Sequence, residues 1–495
     1  MRELSPVKYD SSLYTDENVL YKHKLIEPVS LSKNITYLYG KDTDLFPLLA
    51  NTEGQGFTKS IAPKALNDTQ YTWDVMGRMK HTNRVVGLYN PNVTQPGLGF
   101  TSFEVIFETE WFIEQYGAIT PDTQHLVRIM KKPEKLSTGK WKYTMNIVGS
   151  NPNEFIGLNN FVPGLAWVMS APTVAASKSK GNRTNSMTPG KMTNQFGFHR
   201  FSENIAGNVA NKVIPYEFDT ANGGKTNMWM PFKMKTFEIE RRILLEHDLW
   251  FNKYNRDANG KITLYDSETG EPIPHAAGVE EILKYGGNYD TYAVPNLTIG
   301  KLNSTVDRIF ANRIDKTPME IVMYTGAGGR RACNDALRND AESHSLFYKL
   351  SERIIGGGDT GYMTYGNYFD QYRTIDGYIL TIRECNMFNH GTIAEMDREN
   401  GRMINGFPLF SYNIVFLDHS MTDDGERNIQ LVAEKGREVI TGVYKGLTPL
   451  PAEWGAIADN KLLSTTTDVA SYEVMSTQGI AIRNWTTSFW LAPSL

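Results

Sequence analysis

The amino-acid sequence predicts an α+β fold, and three observations predict it. Residues 71–150 read as strands, with segments that place apolar side chains at every second position, the period of strands with one wet face. One long helical pattern runs from Met230 to Asn252. A buried-strand run, Met319–Tyr324, leads through Thr325-Gly326-Ala327-Gly328-Gly329 into another helix, and strands return from Gly377 onward.

Composition narrows the class. Of 495 residues, 40% are AVILMFWYC and 21% are charged, which describes a folded globular chain. That length suggests roughly two to four structural regions. Lys+Arg number 51 against 55 Asp+Glu, so no basic excess marks a nucleic-acid binder. Two cysteines, Cys333 and Cys385, exclude a disulfide framework and thiolate-rich zinc sites. The start, MRELSPVKYD, has no apolar core behind Arg2, so no signal peptide is expected. The longest apolar stretch, Phe161–Ala176, is broken by Pro163, Gly164 and Pro172 and is too short to span a bilayer. A reducing cytoplasm is the expected place of synthesis.

Residues 1–60 show no sustained periodicity. Such a segment buries too little surface to order itself. Extended, it reaches on the order of 200 Å. It reads either as a strip on its own domain or as an arm over neighbouring subunits. Next, Tyr71, Trp73 and Val75 alternate with polar residues, as do Phe103, Val105 and Phe107, and Trp141, Tyr143, Met145 and Ile147. Asn90-Pro91-Asn92, Gln95-Pro96-Gly97 and Lys131-Lys132-Pro133 punctuate them. The expectation is a long, partly exposed hairpin system. Its Lys-rich turn (Lys131, Lys132, Lys135, Lys140) is a solvated tip or a contact for acidic patches.

Residues 155–225 read as irregular, with Ser177–Gly190 an exposed loop. Lys178, Lys180, Arg183, Lys191, His199 and Arg200 cluster there as solvated groups or phosphate contacts. In the long helix, Pro231 suits the first turn, Phe232, Ile239, Ile243, Leu249 and Trp250 recur near helical spacing, and Glu238 precedes Arg242 by four. At 1.5 Å per residue it spans roughly 33 Å. Lys261–Tyr265 reads as a strand, Gly278–Lys284 and Ile299–Asn312 as helices, and Tyr412–Leu417 and Asn428–Ala433 as strands, with two more near the C-terminus.

Catalytic motifs are missing. There is no G-x-S-x-G, and no two of the nine histidines have H-E-x-x-H spacing. Gly326–Gly329 lacks the Lys-Ser/Thr of a phosphate loop, so a tight strand-to-helix turn is the better account. Asn255–Asp266 faintly resembles a calcium loop, but starts with Asn, lacks the closing Glu and serves as a turn. Glu108, Glu110 and Glu114 fit a polar strand face.

The order of elements resembles the major capsid proteins of tailed bacteriophages, the Hong Kong 97-like fold. Four segments look like the subfamily of crAss-like phages: Phe103–Phe107 with Trp111-Phe112 and Gly117–Thr120; Gly270–Leu283; Tyr378–Ile382 with Asn386-Met387-Phe388; and Gln478–Trp485 with Leu491–Leu495. The resemblance implies an N-terminal arm (1–60), an extended β-hairpin or E-loop (61–154), an irregular region with an insertion (155–226), a P-domain with a long spine helix (227–298), an A-domain (299–440) and a C-terminal return (441–495). It implies a shell subunit without catalysis, cofactor or metal. The head would be icosahedral and would enclose double-stranded DNA, touched non-specifically. Partners would be copies of itself in hexamers and pentamers, with head accessory, portal and scaffold proteins and no membrane. The chain would be made in the host bacterial cytoplasm and end in the virion capsid. Trp73, Trp111, Phe112, Trp141 and Tyr143 would anchor subunit interfaces, or pack within the hairpin. The sequence departs from the family in lacking a charged, helical N-terminal scaffolding segment. A portal or tail protein, or a carbohydrate-active enzyme, are the alternatives.

Overall fold

The computed structural model describes Leu48 and residues 64–77, 79–207, 213–219, 225–310, 321–340, 347–349, 371–374, 379–422, 425–445, 462–464 and 469–494. The chain divides into two compact units, residues 74–191 and the remainder. It changes units within two strands that pair with each other, β2 (Gln70–Val75) and β10 (Gly190–Gln195), after a short β1 (Lys64–Leu66). The expected N-terminal arm lies outside the described residues except at Leu48. There the backbone N–H donates to the buried Glu246 carboxylate at 2.8 Å, and the side chain joins its own chain's core.

Residues 74–191 form a closed antiparallel barrel. Its strands are β3 (Thr82–Leu88), β4 (Phe103–Phe107), β5 (Tyr116–Ile119), β6 (Leu126–Ile129), β8 (Trp141–Ile147) and β9 (Ala166–Pro172); a short β7 (Glu134–Lys135) also pairs with β8. The pairing runs β4-β3-β9-β5-β6-β8, and β8 pairs back onto β4. A closed barrel has no edge to protect. The expected hairpin is therefore corrected to a six-stranded barrel. The alternation in β4 and β8 was legible, and it points inward. Phe103, Val105, Phe107, Tyr143, Met145 and Ile147 are all buried, with Trp167 of β9 among them. The closing strand, Ala-Trp-Val-Met-Ser-Ala-Pro, lies in the region read as irregular.

That region holds further strands. β11 (Gly197–Ala206) pairs through all ten residues with β25 (Val469–Ile482), and β12 (Val213–Asp219) pairs with β13 (Lys225–Met228). β11 is polar at half of its positions and does not alternate strictly, so its order comes from a partner about 270 positions away rather than from its own pattern.

In the larger unit, α1 (Trp229–Phe251) matches the predicted long helix to within one residue at each end. Its buried stripe is Phe237, Arg241, Leu245 and Leu249, at i, i+4 spacing, while Ile239 and Ile243 are half-buried. Glu238 holds Arg242 at 3.3 Å and Arg241 at 2.5 Å. α2 (Val279–Tyr285), α3 (Ile299–Phe310) and α4 (Ala327–Asp340) match the other predicted helices, and α5 (Asn386–His390) and α6 (Thr392–Glu399) are additional. The predicted strand Lys261–Tyr265 is corrected: only isolated bridges, Arg256 with Ile262 and Tyr265 with Pro272, occur there.

A seven-stranded mixed sheet forms one core. Its order is β14 (Tyr289–Ala293), β26 (Phe489–Ser494), β21 (Ile414–Asp418), β15 (Ile321–Thr325), β18 (Ile379–Glu384), β17 (Gln371–Thr374), β16 (Phe347–Lys349). Ile321 and Met323 face α3 and α4; Val322 and Tyr324 face α1 and α2. Two covered faces explain why β15 and β21 read as unbroken apolar runs. A second sheet centres on β25, flanked by β11 on one side and by β22 (Ile429–Glu434) and β23 (Val439–Lys445) on the other.

The glycine turn after β15 is a packing device. A Cβ on Gly326 would lie 2.6 Å from the Ser411 carbonyl oxygen. The first free N–H groups of α4 are occupied: Ala327 donates to Asn389 Oδ1 at 2.7 Å, and Gly328 to Ser411 Oγ at 2.8 Å. Two of the donors that a phosphate would need at this turn are thus already used by side chains. Gly326→Ala should cost about 2 kcal/mol and lower this unit's Tm by roughly 3 °C. A calorimetric scan showing an unchanged Tm would refute the close approach.

His419, buried behind β21, pairs through Nε2 with Tyr324 Oη at 2.9 Å. Burial pulls its imidazole down to about 4. Between roughly pH 6.5 and 4 the unfolded chain takes up a proton that the folded chain refuses. Stability is therefore full above about pH 6.5 and falls by about 3 kcal/mol as pH drops through that window. Against the wild type, His419→Gln should flatten the decline of Tm between pH 6.5 and 4.5; parallel profiles would contradict this.

Candidate assembly surface

The five aromatics proposed as interface anchors do not share one environment. Phe112 and Tyr143 are fully buried inside the barrel, each packed edge-on against Phe107. Tyr143 Oη donates to the Thr109 carbonyl at 2.9 Å, and burial pushes its phenol well up. These two are corrected to barrel core: closure turns the Tyr143 face of β8 inward, and Phe112, in the loop between β4 and β5, packs onto it. Trp111 is half-buried; its indole N–H donates to the Lys80 carbonyl, and its own carbonyl accepts from Asn185 at 2.7 Å. Trp141 is half-buried at the start of β8, with the Lys135 ammonium 6.0 Å from its ring. Trp73, in the larger unit, stacks near Tyr71 at 6.2 Å and is half-buried.

The barrel's two ends differ in chemistry. The chain enters at Thr82 and leaves at Pro172, and charged and apolar residues are exposed around that root end. Glu108, Glu110, Lys131, Lys132 and Lys135 stand there beside Met76, Met79, Met130 and Val174, with Lys178, Lys180 and Arg183 on the following loop. That loop is tied down: Asn182 Nδ2 donates to the Glu114 carbonyl at 3.0 Å. His199 and Arg200 belong to the other unit, on β11. His199 turns toward Asp248 at 3.5 Å, beside a cavity of about 10 Å³ that has room for roughly one water. Burial pulls its pKa down, so it does not complete a basic phosphate cluster.

The opposite, distal end is built from loops 89–102, 120–125 and 148–165. They are laced together: Gly99 N donates to the Pro152 carbonyl at 2.8 Å, Ile156 N to Pro96 at 2.9 Å, and Val148 N to Leu126 at 2.8 Å. Loop 89–102 contains no charged residue. The ionisable groups of the other two are partnered. His125 and Glu154 pair at 2.9 Å. Against the upward push of burial, hydrogen bonds from Thr120, Gln124 and Asn160 hold the Asp122 carboxyl below its ordinary range. Large apolar side chains stand out between them, including Val148, Leu158 and Val162 at 50%, 50% and 52% exposure. Sequence reading passed over this end. Its available signal was the run from Leu88 to Phe103 without a single charge.

Asp257 and Asp266 in the calcium-like loop are used as turn caps. Asp257 Oδ1 accepts from the backbone N–H of Asn259 and Lys261, both at 2.9 Å, and Asp266 accepts from Thr269 Oγ1 at 2.8 Å. Among the described residues no group of three or more His, Cys, Asp or Glu is placed to hold a metal ion.

Comparisons with known proteins bear on these surfaces. Residues 9–495 match the family model described as Crassvirus major capsid protein. No curated protein sequence matches the chain. Among solved structures, a chain from Mycobacterium phage Patience is 8% identical, over 66% of this chain and 78% of that one, at a TM-score of 0.32. One from Mycobacterium phage Bobi is 9% identical over 78% and 89%, at 0.28, and the SrpI encapsulin of Synechococcus elongatus is 8% identical over 62% and 75%, at 0.32. Likenesses this distant bear on neither function nor fold detail. The family match spans nearly the whole sequence and both units, and it decides the matter: the chain belongs to the Crassvirus major capsid protein family and is a structural subunit of a phage head.

Proposed function

We propose that this subunit assembles with copies of itself, as hexamers and pentamers, into an icosahedral head around the double-stranded DNA of a tailed phage. The observation that carries the reading is the family match from residue 9 to residue 495. In this reading the fold is Hong Kong 97-like. The barrel of residues 74–191 stands where the extended hairpin belongs, α1 is the spine helix, β25 with its partners is the P-domain sheet, and the sheet around β15 is the A-domain. Trp73, Trp111 and Trp141 remain the aromatic candidates for subunit contact, since none of the three is fully buried. Contact with packaged DNA would be non-specific, through exposed cations such as Lys178, Lys180 and Arg183. Scaffold, portal and accessory proteins would be separate partners. Synthesis in the host cytoplasm suits a chain whose two cysteines are both buried and free.

Shells, sheets or capsomer rings should form when the full chain is expressed with its scaffold and viewed by negative-stain microscopy. A stable monomer at every concentration, or twelve-fold rings alone, would overturn the reading. Deleting residues 1–40 should leave the far-UV spectrum nearly intact and abolish shells. Normal shells from that truncation would remove the arm from the mechanism. Trp141→Ser should reduce shell yield by a larger factor than its loss of Tm explains, because the side chain is only partly buried against the barrel core. An unchanged yield would place Trp141 outside the contacts.

A further inference from the structure

We infer that the turn Asn405-Gly406 is a modification site of the folded chain, where the Asn405 amide is lost to attack by the chain's own backbone with water as the only co-reactant. The pair joins β19 (Met403–Ile404) to β20 (Phe407–Pro408) in a two-residue hairpin. Asn405 has φ 51° and Gly406 φ 81°, two successive left-handed residues, as the primed type I turn requires. Asn-Gly is the dipeptide that such a turn favours, so the fold itself holds this sequence in place.

Four Asn-Gly dipeptides occur in the sequence, and one of them, Asn222-Gly223, lies outside the described residues. The other three, at Asn259, Asn400 and Asn405, are all exposed, so exposure does not separate them. The glycine amide does. Gly260 N donates to the Asp257 carbonyl at 2.9 Å, and Gly401 N to the Arg398 carbonyl at 3.2 Å. The asparagine amides of those two pairs are tied as well: Asn259 N to Asp257 Oδ1 at 2.9 Å, and Asn400 N to the Met396 carbonyl at 2.9 Å. Among the described residues Gly406 N meets no acceptor. An amide held in a hydrogen bond must break it before it can react; the Gly406 amide has none to break. The hairpin around it has only two residue pairs, Met403 with Pro408 and Ile404 with Phe407. So short a ladder opens easily and lets the turn reach the geometry of ring closure.

The step balances without an oxidant or reductant. Gly406 N gives its proton to water or hydroxide and attacks Asn405 Cγ. The N–Cγ bond forms, the Cγ–Nδ2 bond breaks, and Nδ2 leaves as ammonia with a proton returned by water. The cyclic imide then takes up water. Opening at Cγ gives aspartate; opening at the main-chain carbonyl gives isoaspartate, with an added methylene in the backbone. Either product puts a carboxylate where a neutral amide stood. The Asn405 side chain neighbours the Tyr412 hydroxyl, and the Arg331 charge acts on that same hydroxyl. Tyr412 Oη donates to the Ile404 carbonyl at 3.1 Å, and a Cβ on Gly328 would lie 2.7 Å from the Tyr412 ring. The change at the hairpin therefore reaches the glycine turn of α4, and it runs one way, as a chemical record of the age of the chain.

The test uses the full chain, held folded at mildly alkaline pH and digested for peptide mass spectrometry, with isoaspartyl methyltransferase labelling to count isoaspartate. Conversion at Asn405 should run roughly ten-fold or more ahead of Asn259 and Asn400. In concentrated denaturant the three should convert at similar rates, since each is then the same dipeptide in an open chain. Equal rates in the folded chain, or earlier conversion at Asn259 or Asn400, would overturn the inference. Asp257→Ala provides a second measure. It removes the carboxylate that accepts from Asn259 N and Lys261 N and should raise conversion at Asn259 toward that at Asn405. An unchanged rate at Asn259 would refute hydrogen bonding as the control.

Discussion

The larger unit depends on one strand. β25 runs fourteen residues and is paired along both edges, with β11 on one side and β22 and β23 on the other. α1 lies over its face. The Phe237 ring sits 5.9 Å from Tyr472, and Gln478 Nε2 donates to the Leu245 carbonyl at 2.9 Å. Residues near 200, 240, 435 and 475 are thereby held at one place. Each of these contacts closes a long loop, so none forms cheaply alone. The C-terminal segment is synthesised last and yet holds the centre, which makes this unit a high-contact-order fold whose parts become stable together.

The same strand shows where sequence reasoning stops. The ends of α1 were legible because Pro231 suits a first turn and the following residues keep a helical period. β15 was legible because burial on both faces leaves an unbroken apolar run, Ile321–Tyr324, before the glycines. β11 was not, since Gly-Phe-His-Arg-Phe-Ser-Glu-Asn-Ile-Ala is polar at half of its positions without strict alternation and is held as a strand by ten partners on β25. Period two in β4 and β8 told which residues share a face. It did not tell that the face closes on itself. Phe112 and Tyr143 were therefore placed among possible contacts when they are barrel interior. The distal patch was missed for the opposite reason: it has no periodicity, and its signal is an absence of charge within turn-rich loops.

Electrostatics in the two units is mostly conservative. Carboxylates that looked chemical, such as Asp257 and Asp266, are absorbed in turns. Glu246, fully buried in α1, accepts from Trp250 Nε1 at 2.7 Å and from the Leu48 backbone. A buried acceptor satisfied in this way specifies geometry more than it adds stability. It gives the N-terminal segment one definite attachment on its own chain, at Leu48. Whatever the earlier residues do in a shell, they start from a point held by their own subunit.

A closed barrel also changes what an extended element can afford to expose. A two-stranded hairpin is marginal in water on its own and must spend its apolar side chains on holding its strands together. Closure removes that demand. In residues 74–191 the inward row, with Phe107, Tyr143 and Trp167 fully buried, supplies the stability. The loops at the far end are then free to carry leucine, valine and phenylalanine that contribute little to folding. Apolar groups left outward on a self-sufficient body cost solubility until something covers them. A subunit that must persist dispersed and then assemble gains from keeping such groups few.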